Sequence, residues 1–489
     1  MHATNSSHLD LKAIAKEVMQ QRGFQPDFPP QVPQQLADLR AHPPQIAPAG
    51  DIRDLRNLLW SSIDNDTSRD LDQIEVAERA PNGDVKVMVG IADVDAFVPK
   101  QTPIDQHAAR ETTTVYAGVR NFPMLPEELS TGKTSLLENQ DCLSVVIEFV
   151  VDSTGVVKSP SVYRAVVRNK AQLQYNSLGA WLEGKSPAPP KVAASSDLQA
   201  QLKLQDEVAQ KLKDQRFQHG ALSLQTDELQ PLVLNDQVID VVNAQKNHAT
   251  ELIEDFMVAA NGVVARLLEK VSSLRRIVRT PERWDRIVQL AATKGHEKLP
   301  AEPDSKALNE FLLRRRAADP DHFADVSLAV IKLIGPGEYV LERPGDTAPG
   351  HFGLAVQDYT HSTAPNRRFV DMVTQRLIKA LLAGQKNPYS DAELTAIAAN
   401  CTLKENAAKK VERDMAKRLA AVALQNRIGE VFDAMVTGAS EKGTFVRVLQ
   451  ARVEGLLVQS PQGLDVGDRL RVKLVRTDVQ RGFIDFARV

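Results

Sequence analysis

Between residues 9 and 23 the apolar side chains Leu9, Leu11, Ile14, Ala15, Val18 and Met19 recur at helical spacing, and the run stops at Gly23. Pro26, Pro29, Pro30 and Pro33 punctuate the next ten residues, and a second short helix is expected from Gln34 to Leu39. The linker Pro43-Pro44-Gln45-Ile46-Ala47-Pro48 comes next. Two short helices joined by a turn fit a helix-turn-helix remnant as well as a packing appendage. From Asp51 the period changes. Val85-Lys86-Val87-Met88-Val89-Gly90-Ile91, Leu143 to Val151 and residues 160–168 read as strands, with Asn82-Gly83 as a hairpin turn. Helices are expected over 196–214, 247–271, 282–294, 306–317 and 368–383. A charged helix over 391–426 carries no evident chemistry and reads as a connector. Strands followed by helices within one long region predict an α+β domain.

The helix over 247–271 has an apolar face of Leu252, Ile253, Phe256, Met257, Ala260, Val264, Leu267, Leu268 and Val271. Asn247, Glu251, Glu254 and Asn261 form a narrower polar seam, which suits a solvated face or the wall of a substrate channel. Residues 427–489 differ again: short segments broken by Gly438, Gly443, Gly455, Gly463, Gly467 and Gly482, including Val466-Gly467-Asp468, predict a small β-barrel. This stretch holds ten basic residues (among them Lys442 and Arg452) against eight acidic ones (among them Glu441 and Asp465), inside a chain of net charge −3. Phe432, Phe445, Phe483 and Phe486 read as core, and one or two exposed on a strand would offer stacking platforms for bases.

At 489 residues the length suggests about three domains. A net charge of −3 does not advertise a polyanion binder, so any nucleic-acid surface must be local. Two cysteines, Cys142 and Cys401, exclude a disulfide framework and a cysteine-rich zinc site. No apolar run approaches the roughly 20 residues of a membrane span, and residues 1–5 lack the pattern of a signal peptide. The expected location is the cytoplasm.

The strongest chemical signal is Ser62-Ile63-Asp64-Asn65-Asp66-Thr67-Ser68-Arg69-Asp70-Leu71-Asp72-Gln73-Ile74, with four carboxylates in nine residues. The polar residues favour a loop, while Ile63, Leu71 and Ile74 would pin it to a core. Crowded carboxylates repel one another, and a hard cation relieves them. Magnesium, usually held by one or two carboxylates plus substrate phosphates, suits such a cluster and phosphodiester chemistry. The bland alternative is a solvated acidic loop. Pro365-Asn366-Arg367-Arg368-Phe369 places two cations at a helix N-terminus, against the macrodipole. They call for an anionic partner, either a carboxylate or a phosphate, and a guanidinium facing a scissile phosphate would stabilise developing charge. Tyr116 and Tyr175, taken alone, are ordinary half-buried tyrosines.

Together these stretches resemble the ribonuclease II family catalytic domain. The resemblance runs through Ile63-Asp64, Arg69-Asp70-Leu71-Asp72, Gly90-Ile91-Ala92-Asp93-Val94, Thr114-Val115-Tyr116, Pro123-Met124-Leu125-Pro126, Leu129-Ser130 and Ser135-Leu136. It continues with Ile253-Glu254-Asp255-Phe256-Met257, Ala260-Asn261, His351-Phe352-Gly353-Leu354, Tyr359-Thr360-His361 and Pro365-Asn366-Arg367-Arg368-Phe369-Val370-Asp371. It covers about residues 51–385, and residues 427–489 resemble the S1-type OB-fold domain that closes many members. The implied fold is α+β. A short helical N-terminal domain (1–48) precedes a mixed-sheet RNB catalytic domain with many helices (49–385). A helical connector (386–426) and an all-β OB-fold barrel (427–489) complete the chain.

The resemblance implies a magnesium-dependent, processive, hydrolytic 3′-to-5′ exoribonuclease releasing nucleoside 5′-monophosphates. Asp64, Asp70, Asp72 and Gln73 would hold Mg2+, with Asp70, Asp72 and Arg367 as the catalytic set. Tyr116, Tyr175, Glu254, Arg367 and Arg368 would contact RNA: Tyr116 by stacking on the terminal base, Tyr175 and Glu254 at the leading ribose. The partner would be single-stranded RNA with a free 3′ end, bound by a monomer with no obligate protein partner and no membrane. Three departures stand out. Gln73 replaces a usual fourth aspartate, leucines replace an aromatic clamp near His219-Gly220-Ala221-Leu222-Ser223-Leu224, and Arg368-Phe369 stands where a basic residue and a tyrosine are frequent. About fifty residues precede the catalytic domain, so the two N-terminal barrels of bacterial members are not expected. The alternatives are an inactive RNA-binding protein that keeps the fold, and a metal-dependent phosphatase or DNA nuclease.

Overall fold

The structure, a computed structural model, describes residues 10–225, 228–234, 237–244, 246–320, 322–440, 443–449, 453–460, 462–464 and 468–489. The expectations resting on residues 1–5, Leu9, Glu441, Lys442, Arg452, Asp465, Val466 and Gly467 lie outside the described residues. Helices α1 (Leu11–Gln21) and α2 (Val32–Ala41) open the chain, followed by β1 (Arg53–Asp54), β2 (Ser61–Asp64), β3 (Gln73–Arg79), β4 (Val85–Ala92) and α3 (Pro103–Glu111). The small hairpin β5 (Val115–Tyr116) and β6 (Asn121–Phe122) precedes β7 (Asp141–Val151), β8 (Val157–Arg168) and β9 (Ala171–Gln174). Then come α4 (Tyr175–Leu182), α5 (Pro190–Ala193), α6 (Ser196–Gln218), the hairpin β10 (Glu228–Leu234) and β11 (Gln237–Ala244), and α7 (His248–Leu267). Strands β12 (Ser273–Ile277) and β13 (Glu338–Glu342) pair around α8 (Trp284–Gly295), α9 (Ser305–Ala318) and α10 (Phe323–Ile334). Helices α11 (Phe369–Leu382) and α12 (Asp391–Leu424) lead to the strands β14 (Val431–Ser440), β15 (Gly443–Val448), β16 (Glu454–Gln459), β17 (Arg469–Asp478) and β18 (Phe483–Arg488).

The main sheet has the mixed order β1-β8-β7-β4-β3-β2-β9. Its middle strands read as nearly continuous apolar runs because both faces are covered: Val87, Val89, Ile91, Val145, Ile147 and Phe149 are all buried. Helix α7 packs on β7 and β8, and α6 lies along β3. The last five strands close into a barrel, β14-β15-β16-β18-β17, around Phe432, Val446, Val472 and Phe486. The fold class is therefore α+β with a C-terminal barrel. Of the four barrel phenylalanines, Phe432 and Phe486 are core, Phe445 is half-buried and Phe483 is 54% exposed.

The charged helix is more than a connector. At about 1.5 Å per residue, the 34 residues of α12 span about 50 Å. Ala408, Val411 and Met415 on α12 pack with Ala15, Val18 and Met19 of α1, with Phe24, and with Val115, Ala117 and Phe122 around the β5–β6 hairpin. The apolar face of α1 is thus spent on the domain, as a packing appendage would spend it.

Candidate active site

The acidic stretch occupies the place where β2 and β3 part. These antiparallel strands share the pair Ser61↔Glu75, β2 ends at Asp64 and β3 begins at Gln73. The excursion between them turns at Ser68 N–H to Asn65 C=O (3.0 Å). Ser135 then brackets Asp70: its Oγ accepts from Leu71 N–H (2.9 Å) and donates to Arg69 C=O (2.6 Å). Leu136 N–H donates to Leu71 C=O and Ala92 N–H to Asp72 C=O, each at 3.0 Å. With Ile63, Leu71 and Ile74 fully buried, the loop is nailed down on both sides of its carboxylates.

Asp72 is buried, its Oδ1 accepting from Asn366 N–H (2.8 Å) and its Oδ2 lying 3.6 Å from Arg367 Nε. Burial pushes its carboxyl up to about 8, against the pull of Arg367 and the Asn366 N–H. Burial likewise raises Asp64 to about 7, against the Gln73 amide, whose Nε2 donates to Asp64 Oδ1 at 3.3 Å. Asp64 Oδ2 is buried with no hydrogen-bond partner among the described residues. Half-buried Asp70 repels both of them and accepts from the Tyr116 hydroxyl (2.9 Å). Asp64, Asp70, Asp72, Arg367 and Tyr116 are thus one cluster.

Tyr116 sits on β5, the residue 40% exposed and its backbone N–H donating to Glu412 of α12 (3.1 Å). Arg367 is brought in by its own backbone: Thr114 N–H donates to Arg367 C=O (3.0 Å) and Phe369 N–H to Thr112 C=O (2.8 Å). Its side chain stays 45% exposed. Arg368 goes the other way, its Nε and Nη2 forking onto Asp371 at 2.8 Å each. Of the two partners the sequence left open, Arg368 has the carboxylate, so its expected RNA contact would require a phosphate to share or displace this ion pair. Tyr175 follows β9 directly; because β9 runs parallel to β2 with Asp64 opposite Gln174, it stands next to Asp64, whose charge with that of Glu75 helps burial raise its phenol. Glu254 is exposed on α7, ion-paired with Lys246 at 2.6 Å.

Among the buried acids to which sequence reasoning gave no role are Glu75 and Asp255. Glu75 has no exposed surface, and neither carboxyl oxygen finds a hydrogen-bond partner among the described residues. It lay hidden in an otherwise ordinary strand pattern. Asp255, next to Glu254 on α7, is buried against Arg216. Asn261, counted in the polar seam, is buried too, bonding Ser362 and Tyr359.

The RNB domain family matches residues 52–384, and the C-terminal S1 domain of RNase II-type exonucleases matches residues 430–489. The chain belongs to the RNB family. Among curated relatives, ribonuclease R of Thermotoga maritima is 30% identical over 471 residues, 89% of this chain and 65% of that protein. The chain thus spans less than two thirds of that relative's length. The apo form of Mycoplasma genitalium RNase R superposes with a TM-score of 0.86 at 22% identity, covering 98% of this chain and 78% of that one. Yeast Ssd1, described as a pseudonuclease, superposes at 0.71 with 16% identity, covering 92% and 56%. The RNB fold therefore occurs with and without catalysis.

Does this RNB site suit a magnesium ion? Among the described residues no three His, Cys, Asp or Glu side chains converge into a ready-made cage. The expected set of Asp64, Asp70, Asp72 and Gln73 is correspondingly open. Asp72 is turned to Asn366 N–H, Asp70 to Tyr116, and Gln73 presents its N–H rather than its oxygen to Asp64. Yet a buried Asp72 and a half-buried Asp64, both with raised proton affinity, and an orphaned Asp64 oxygen are what a missing positive charge leaves behind. An ion that keeps several waters and takes few protein ligands fits such an open set.

Proposed function

We infer that the chain is a magnesium-dependent 3′-to-5′ exoribonuclease that hydrolyses single-stranded RNA processively to nucleoside 5′-monophosphates. The observation that carries this is the juxtaposition of Arg367 with Asp72, at 3.6 Å, inside the carboxylate cluster. A guanidinium that stays half-exposed beside buried acids has an open side for a phosphate. When bound, the ion would polarise the phosphodiester and lower the pKa of an attacking water. Asp64, Asp70 and Asp72 would hold it, and Arg367 would meet the charge that grows on the phosphate oxygens.

Tyr116 would stack its exposed ring on the terminal base while its hydroxyl faces Asp70. Tyr175, beside Asp64, suits the leading ribose, where a 2′-hydroxyl separates RNA from DNA. Glu254 would join it there only by leaving Lys246. The barrel, with Phe483 exposed, would hold the incoming strand. One chain contains all of these parts, in keeping with a monomer working in the cytoplasm.

The second reading, a non-catalytic RNA-binding protein, draws on Gln73 and on the open geometry of the acids. Asp72→Asn separates the two. The nuclease account expects turnover of an RNA oligomer to vanish while its binding persists, with a matched DNA oligomer resisting the unmodified chain. Unchanged degradation by Asp72→Asn would sink the assignment.

A further inference from the structure

We propose that Glu75 supplies the carboxylate that position 73 lacks, completing the ion-binding set from the inner side of Asp64. Gln73 and Glu75 are two apart on β3 and share a face of the strand. From that face the Gln73 amide reaches Asp64. Glu75 pairs across the sheet with Ser61 on β2, and Asp64, which the Gln73 amide reaches where the strands part, is the charged group acting on it.

Buried oxygens that find no partner among the described residues lie on three side chains here: Ser61 through Oγ, Asp64 through Oδ2 and Glu75 through both oxygens. Three of those four oxygens belong to carboxyls and, once ionised, only accept, so they cannot satisfy one another. A buried polar atom without a partner is costly, and a buried anion beside another anion more so. Hydrophobic residues would fill a strand interior without that cost. A cation bound at Asp64 would relieve both carboxylates at once. It would also restore the charge lost where a neutral amide stands at 73, since Gln73 turns its N–H and not its oxygen to the site.

The proposal rests on the metal-dependent reading of the site, so the test reads ion binding without RNA or catalysis. Mn2+ binding to the full RNA-free chain would be followed by electron paramagnetic resonance, with melting curves for every variant. Glu75→Gln should weaken Mn2+ at least about tenfold, the range typical of residues that support a metal site. Glu75→Leu, which fills the space with an apolar side chain, should weaken it equally while melting no lower than the unmodified chain. Moving the charge back, in Gln73→Asp/Glu75→Gln, should recover most of the affinity, as a merely structural Glu75 would not allow. Unaltered Mn2+ affinity in folded Glu75→Gln or Glu75→Leu would overturn the proposal, and so would loss without recovery in the double variant. No Mn2+ binding by the unmodified chain would instead refute the metal-dependent reading itself.

Discussion

Buried Asp72 and half-buried Asp64 have a proton affinity with consequences for the whole fold. An unfolded aspartate loses its proton near pH 4, whereas in the folded chain Asp64 holds it to about 7, Asp72 to about 8 and Asp255 to about 7. The folded state therefore binds more protons at these acids, whose contribution to stability falls as pH rises from about 4 to 8, while His107 and His351, pushed down to about 4 by burial, and His361, pushed well down, act in the opposite sense below about pH 6.5. In chelator we expect Tm to decline from about pH 7 to about pH 8, above the range where the buried histidines count, and Asp72→Asn to flatten that slope. A Tm that rises over the same interval would contradict it. Magnesium should restore more stability at pH 8 than at pH 6, because it binds the deprotonated carboxylates. The two arginines separate in the same way. Arg367→Ala, at an exposed side chain, should leave Tm within a degree or two and slow turnover by about 100-fold or more, the scale of losing one charge-stabilising donor. Arg368→Ala strips a buried Asp371 of its fork and should cost about 3–5 kcal/mol of stability, read by denaturant unfolding. At this scale crowding and spacing showed the acids and the Arg367-Arg368 pair, and the resemblance to the family singled out Arg367. The sequence could not show which arginine turns inward, because Asp371 lies four residues after Arg367 and three after Arg368, within helical reach of either. Glu75 was invisible for a related reason: in Gln-Ile-Glu-Val-Ala-Glu-Arg it looks like one of the outward polar residues of an alternating strand.

Elements bring these residues together. The gap between β2 and β3 holds the acids, the parallel pairing of β2 with β9 delivers Tyr175, and the β5–β6 hairpin delivers Tyr116. Hydrophobic periodicity made α1, α7 and the central strands legible, and the turn at Asn82-Gly83 joins β3 to β4 as its chemistry predicts. It did not reveal what the amphipathic face of α1 would cover, since that depends on contacts nearly 400 residues away on α12. Because α1 backs the Tyr116 hairpin, Met19→Ala should cost about 2–5 kcal/mol where the cavity cannot close. It should also loosen the hairpin, lengthening the final RNA product before activity is lost. Gel analysis of the limit product checks this; a destabilised variant with an unchanged limit product would mean that α1 only stabilises.

Across the whole molecule α12 is the spine. It is in contact with α1, β5 and β13, and at its far end with β17 and β18 of the barrel. The Arg447–Asp325 ion pair, at 2.8 Å, ties the barrel to α10 as well. The barrel is thereby fixed to the catalytic domain, and its exposed Phe483 becomes a stationary surface. If a base stacks there, Phe483→Ala should weaken RNA binding by about 1–3 kcal/mol without moving Mn2+ affinity, as a fluorescence anisotropy titration would show. The central claim is that the carboxylates and Arg367 cut RNA from its 3′ end with magnesium. It is tested most directly by a time course on a 5′-labelled single-stranded RNA oligomer, with magnesium and with chelator. A magnesium-dependent pattern that shortens to a small limit product is the predicted result, and chelator should leave the oligomer whole. RNA that stays intact with magnesium, yet still shifts on a native gel, would contradict the account and leave a binding protein built on the nuclease fold.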